Sequence, residues 1–187
     1  ALALAVLTFG METTLFRFAN KEDEKPDTVF STAITVVGGL SAVFLAIVFG
    51  FITPISEALG YADHHEYLLM MATVVALDAV QAMPFSYLRF QNRPIKFASL
   101  KLLFILLNIL LNVIYFVWLK KTEVFYVFCI NLWCTGLITF FFIPDFFKVK
   151  WQFDFALLKR MFSYSWPILV LAIAGVLNQT VDKIIFP

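Results

Sequence analysis

Residues 67–119, YLLMMATVVALDAVQAMPFSYLRFQNRPIKFASLKLLFILLNILLNVIYFVWL, hold two apolar runs on either side of a short basic hinge. The hinge, RFQNRPIK, carries Arg89, Arg93 and Lys96 and contains Pro94. Each run reaches the roughly 20 helical residues that cross the hydrocarbon of a bilayer. Inside the runs stand Asp78, Gln81, Asn108 and Asn112, where an unpaired polar group is costly. The stretch therefore reads as part of a polytopic membrane protein with a polar path between its helices.

Composition agrees along the whole chain. With 61% hydrophobic and 14% charged residues and a mean hydropathy of +0.88, an ordinary soluble domain is excluded, since such a domain is only about half apolar. The 187 residues are better counted in membrane spans than in globular domains. The net charge of +1 is uninformative, because the position of each charge matters more than the total. Cys129 and Cys134 lie five positions apart in one apolar run, a spacing poorly suited to a disulfide on a helix. The opening ALALAVLTFG has neither an initiator Met nor a basic n-region, so it is not a signal peptide. Both ends are expected to cut through helices, which makes the chain an internal piece of a longer protein.

Six spans follow, the first and last truncated, in an all-α polytopic bundle. Residues 1–19 form the back half of a helix that ends at METTLFRFA, and KEDEKPD (21–27) is a charged loop. The second span is 28–53, with Gly38 and Gly39 near its middle, where small residues let helices approach closely. A loop from Pro54 to Glu66 contains no Lys or Arg. The third and fourth spans are 67–88 and 98–119, KKTE (120–123) is a tight turn, and the fifth span is 124–143. Residues 144–165 form a connector, and 166–187 begin the sixth span.

The cations sort onto alternate bends. Eleven of the 14 Lys and Arg residues fall on one side: Arg17, Lys21 and Lys25, the group from Arg89 to Lys101, and Lys148, Lys150, Lys159 and Arg160. Only Lys120 and Lys121 fall on the other, and Lys183 lies inside the last run. The positive-inside rule assigns the first group to the cytoplasm. In the connector, FDFALLKRMFSYSWP places Leu157, Leu158, Met161 and Phe162 on one helical face, with Lys159, Arg160 and Ser163 largely opposite. That pattern describes a short amphipathic helix along the cytoplasmic interface, capped by Asp154. Pro167 is expected in the first turn of the last span, where its missing N–H does no harm.

The intramembrane polar residues each carry two readings. Asp78 and Gln81 share a face one turn before Pro84: a proton or cation site beside a kink, or a hydrogen bond between helices. Asn108 and Asn112 line one stripe, as interhelical polar contacts or as substrate contacts. Arg17 can snorkel to the headgroups, whereas Glu12 lies about 7 Å deeper at 1.5 Å per residue. Asn178, Gln179, Asp182 and Lys183 crowd the last run and suggest a cavity or a partner. Asp63-His64-His65-Glu66 reads as a solvated polar loop, not a metal site. There is no nucleophile–base pair, phosphate loop or nucleic-acid patch, so no enzyme activity and no cofactor are expected.

Three stretches in register carry a resemblance. GMETTLFRFANKE, YLRFQNRPIKFASLKLLFILLNILLNVIYFV and FALLKRMFSYSWPILVLAIAGVLNQTVDKIIF resemble the second-helix ending, the fourth-to-fifth helix junction and the linker with seventh helix of polysaccharide-biosynthesis flippases. These are O-antigen-type transporters of the multidrug/oligosaccharidyl-lipid/polysaccharide exporter superfamily. The resemblance implies that 1–143 is most of the N-terminal lobe of a two-lobed, MATE-like transporter. Residues 144–165 are then its cytoplasmic linker, and 166–187 start the second lobe. It further implies flipping of an undecaprenyl-pyrophosphate-linked oligosaccharide across the inner (plasma) membrane by alternating access. Arg17 and Arg89 would then meet pyrophosphate, Gln81, Asn112 and Asn178 would meet sugar, and Asp78 or Asp182 would couple to H+ or Na+. The implied partners are the lipid-linked substrate, the bilayer and other glycan-assembly proteins, with no nucleic acid. A drug or cation antiporter of the same superfamily and a membrane-embedded glycan polymerase are the alternatives.

Overall fold

Proline and aspartate set several of the helix starts. Pro26 and Pro94 occupy the first turns of α3 (Pro26–Gly50) and α6 (Pro94–Val113), where no backbone donor is lost. Asp154 Oδ1 accepts from the N–H groups of Ala156 and Leu157 at 2.8 and 3.1 Å, capping α8 (Phe155–Ile185) as expected. The remaining helices are α1 (Leu2–Thr8), α2 (Met11–Ala19), α4 (Ile52–Ala58), α5 (His65–Phe90) and α7 (Val124–Lys148), and α6 runs on into a π-helical turn, Ile114–Trp118. This computed structural model describes residues 2–58, 60, 65–118 and 124–185, the side chains of 118, 124, 147–148, 179–180 and 182–185 excepted. Among the described residues there is no strand, and six helical stretches are long and apolar enough to cross a membrane. The chain is an all-α polytopic bundle.

α5 is the axis of the bundle, packing against α1, α2, α3, α4, α6 and α7. Its small residues make this possible: Ala79 is fully buried, and Met83 beside it reaches a core built with Met11, Leu15, Val29, Phe30, Leu157 and Met161. Burial between helices in lipid gains little hydrophobic free energy, so close van der Waals packing holds this core together. A second cluster joins Phe85 and Leu88 of α5 to Leu100 of α6 and to Ile138 and Phe142 of α7.

Polar contacts gather three bends at one end of the bundle. Tyr87 Oη donates to Asp27 Oδ1 at 2.7 Å, and Ser31 Oγ donates to the Gln152 carbonyl at 2.5 Å. Arg160 pairs with Glu24 at 2.6 Å, and Lys96 pairs with Asp145. The basic bends around 20–25, 91–93 and 149–154 therefore lie together, as the count of cations required. Near the other end, Ser56 Oγ and His65 Nδ1 meet at 2.7 Å. Asp63, His64 and the turn at 120–123 lie outside the described residues.

Several local expectations change. The helix expected over 1–19 is broken: Phe9 and Gly10 adopt φ of 49° and 65°, and α2 restarts at Met11. A Cβ on Gly10 would sit 2.9 Å from Ile168 Cγ2, so the left-handed turn and the approach of α8 both demand glycine there. The second span ends at Gly50, and part of the loop assigned from Pro54 is helix α4. The connector placed at 144–165 contracts to 149–154, because α7 continues through Pro144 to Lys148 and α8 begins at Phe155. Packing by Phe142 and Phe146 and the Lys96–Asp145 pair hold that last turn of α7 despite the proline.

The amphipathic segment is consequently the lower part of one 31-residue helix, with Leu157 and Met161 buried against the bundle core. Pro167 lies inside this helix, not at its start, and leaves the Ser163 carbonyl without its usual donor. Gly38 and Gly39 do not mark a close approach among the described residues, where a Cβ on either would meet nothing within 4 Å. Cys129 and Cys134 are free thiols.

Candidate functional site

On α5 the residues Asp78, Gln81, Phe85 and Arg89 recur at intervals of three or four and so form one stripe. α6 answers with Phe97, Lys101 and Phe104 at the same intervals. Between these stripes, Leu4 of α1 and Glu12 of α2 close a cavity of about 370 Å³. The break at Phe9–Gly10 is what restarts the helix with Glu12 in its first turn, where the helix dipole favours a carboxylate. Buried Ser86 locks the register by donating to the Glu12 carbonyl at 2.9 Å.

Four charged side chains line this space. Glu12 and Arg89 face each other at 3.6 Å, with their side chains 41% and 50% exposed. Lys101 places Nζ 4.3 Å from the centre of the Phe85 ring and lies within electrostatic reach of both Glu12 and Asp78. The Arg89 guanidinium lies 5.8 Å from the Phe97 ring centre. Aromatic faces of this kind attract a cation while leaving its hydrogen-bond donors available. Phe85 is itself fixed edge-on to Phe97 and Phe142, at 5.6 and 4.8 Å.

Gln81 is 6% exposed. Its amide donates to the Thr135 carbonyl at 2.8 Å and to Thr139 Oγ1 at 2.7 Å, which ties α5 to α7. Both amide protons are used there, and the side chain still reaches the cavity wall. A second hollow, of about 440 Å³, opens beside the first and is bounded by Glu12, Thr13, Phe16, Ser86 and Arg89. The Glu12–Arg89 pair thus belongs to the walls of both spaces.

Of the residues singled out from the sequence, Asp78, Gln81 and Arg89 come together. Arg17 does not join them: its guanidinium stacks 4.1 Å from the Tyr164 ring on the α8 side. Asn112 donates to the Asn108 carbonyl and to Asn108 Oδ1 at 2.7 and 3.0 Å, and Asn108 reaches Asn131 at 3.4 Å. That ladder joins α6 to α7, away from the cavity walls. Asn178 is exposed on α8, and the side chain of Asp182 lies outside the described residues. Among the described residues no cluster of His, Cys, Asp or Glu is arranged to hold a metal.

Two charged wall residues, Glu12 and Lys101, carry no role in the sequence reading. Lys101 does give a signal, for it stands seven residues into α6 with leucines on both sides.

Six membrane-length helices, three of which wall a charged, aromatic-lined cavity, define a polytopic membrane protein with a polar chamber in its bundle. The family model described as polysaccharide biosynthesis protein matches residues 1–186. The chain belongs to that family and has a role in polysaccharide biosynthesis, as a multi-pass membrane protein. No curated protein and no solved structure matches it significantly.

Proposed function

We propose that the chain is part of a flippase that moves a lipid-linked oligosaccharide, carried on a polyprenyl pyrophosphate such as the undecaprenyl form. Movement runs from the inner to the outer leaflet of the cytoplasmic membrane by alternating access. The observation that carries this reading is the mixed cavity: Arg89 and Lys101 offer cations to a phosphate, Gln81 a side-chain carbonyl oxygen to accept from sugar hydroxyls, and Phe85, Phe97 and Phe104 an apolar wall. An amphiphilic cargo needs these three chemistries in one place. The positive-inside rule puts Arg89 and the other basic bends on the cytoplasmic side, where such a cargo is loaded.

An antiporter for drugs or other cations would be better served by an acidic chamber. This one balances Glu12 and Asp78 with Arg89 and Lys101. A glycan polymerase needs catalytic side chains in the chamber or on an outer loop, and the cavity walls bring together no nucleophile–base pair. The reading is accordingly a transporter, not an enzyme. Asp78 is the carboxylate proposed to couple transport to H+ or Na+, since it lines the cavity within electrostatic reach of Lys101. Asp182 is proposed for the same role from its place in the last run.

Reconstituted protein tests this directly. A lipid-linked glycan loaded in one leaflet of a proteoliposome is expected to reach the other leaflet chemically unchanged. Arg89→Ala is expected to reduce that rate by at least about tenfold, the scale of a lost charged contact. A covalently altered product would establish the enzyme class instead, and full activity in Arg89→Ala would remove the cavity from the transport path.

A further inference from the structure

The cavity poses a problem of charge that its geometry also answers. With Glu12, Asp78, Arg89 and Lys101 ionised, its walls sum to zero, so a diphosphate entering them would find no surplus cation. In a low-dielectric site, uncompensated like charge is severely unfavourable. One carboxylate must therefore give way, and the two are not equally placed to do so. Asp78 lies deeper on α5, within reach of Lys101 but bordering only the main cavity. Glu12 stands at the partition between two hollows, 41% exposed, with its carboxylate 3.6 Å from Arg89. That separation is long for an ion pair, whose charge-assisted N–H···O distances run to about 2.9 Å. The second hollow, about 440 Å³ and bordered by Thr13, Phe16 and Ser86, gives the carboxylate somewhere to swing. Its backbone meanwhile stays pinned by the Ser86 hydrogen bond.

We infer that Glu12 is a built-in stand-in for the substrate's phosphate, holding Arg89 in the empty cavity and yielding it when a prenyl diphosphate enters. The inference rests on the flippase reading and adds a specificity device to it. An internal anion raises the threshold for binding, so a ligand with a single negative charge displaces it poorly and a diphosphate displaces it well. It also keeps Arg89 near the Phe97 ring and ready between transport cycles, in place of an unpaired cation in the cavity.

The device makes a counter-intuitive expectation: removing a wall residue should improve binding. In the intact protein in nanodiscs, farnesyl diphosphate is titrated against the parent, Glu12→Gln, Glu12→Asp, Arg89→Gln and the Glu12→Gln/Arg89→Gln double variant. Glu12→Gln is expected to tighten binding by up to about fivefold, the upper end for a partly exposed ion pair. The shortened Glu12→Asp should fall between this variant and the parent. Farnesyl monophosphate should gain more than the diphosphate from Glu12→Gln. Arg89→Gln should weaken binding, and in its background the Glu12 effect should vanish, the non-additivity expected of a coupled pair. A merely structural role for Glu12 would lower affinity instead. Unchanged or weaker binding in Glu12→Gln, or tightening that persists without Arg89, would overturn the inference while leaving the flippase reading standing. Failure of the parent itself to bind any prenyl diphosphate would overturn both.

Discussion

α5 and α6 are neighbours joined by one hinge, yet their relation to the bundle is opposite. The most apolar stretch of α5 has a mean hydropathy of 1.7 and is 39% buried, whereas that of α6 with its π turn reaches 2.3 and is only 11% buried. In a soluble protein the greasier helix would sit inside. In a bilayer the lipid takes that role, so the strongest hydrophobic signal marks the outer surface. The helix that carries polar and small residues, Asp78, Gln81, Ala79 and Ser86, becomes the axis on which the others pack. Leu102, Ile105, Leu106, Ile109 and Leu110 of α6 are all half exposed or more, as a lipid-facing surface requires.

Substitutions can break or sharpen this contrast. Ala79→Leu on α5 is expected to cost about 3 kcal/mol, the upper range for overpacking a full core. The change should appear as a large drop in the unfolding midpoint in mixed micelles, because Ala79 has no free surface. Gln81→Leu should cost about 1 kcal/mol by the same measurement, as it removes two donors to α7 in a setting where such bonds average below that value. Asn108→Leu should cost about 0.6 kcal/mol, since its 3.4 Å contact with Asn131 is the weaker of the interhelical polar links. Leu106→Ala on the outer face of α6 should change stability by less than about 0.5 kcal/mol. A reversed order, with Leu106→Ala the most damaging, would mean that α6 faces protein and α5 does not.

Much of this was legible in residues 67–119. The two runs, the basic hinge and the polar insertions give the spans, the gathering of the basic bends at one end, and three of the cavity residues: Asp78, Gln81 and Arg89. The rest depended on contacts between distant segments. Nothing local shows that Glu12 and Arg89, 77 positions apart in the chain, share a wall, or that Arg17 stacks on Tyr164 instead of facing the cavity. The left-handed turn at Phe9–Gly10 follows from packing against Ile168, far along the chain. Proline misled in both directions. Pro144 and Pro167 look like helix boundaries, but each is carried inside a helix because neighbouring elements hold the turns around it. Gly38 and Gly39 fit a packing motif by type, yet no described neighbour approaches them.

The contrast between the two helices is tested most directly by thiol labelling in native membranes. In a background with Cys129→Ser and Cys134→Ser, single cysteines are introduced by Asp78→Cys, Ala82→Cys and Phe85→Cys on the cavity face of α5, and by Leu102→Cys, Ile105→Cys and Ile109→Cys on the outer face of α6. A small water-soluble maleimide is expected to label the α5 set and to leave the α6 set unreacted, because a thiol in hydrocarbon does not form the reactive thiolate. Labelling of the α6 set with protection of the α5 set would contradict a wet chamber centred on α5.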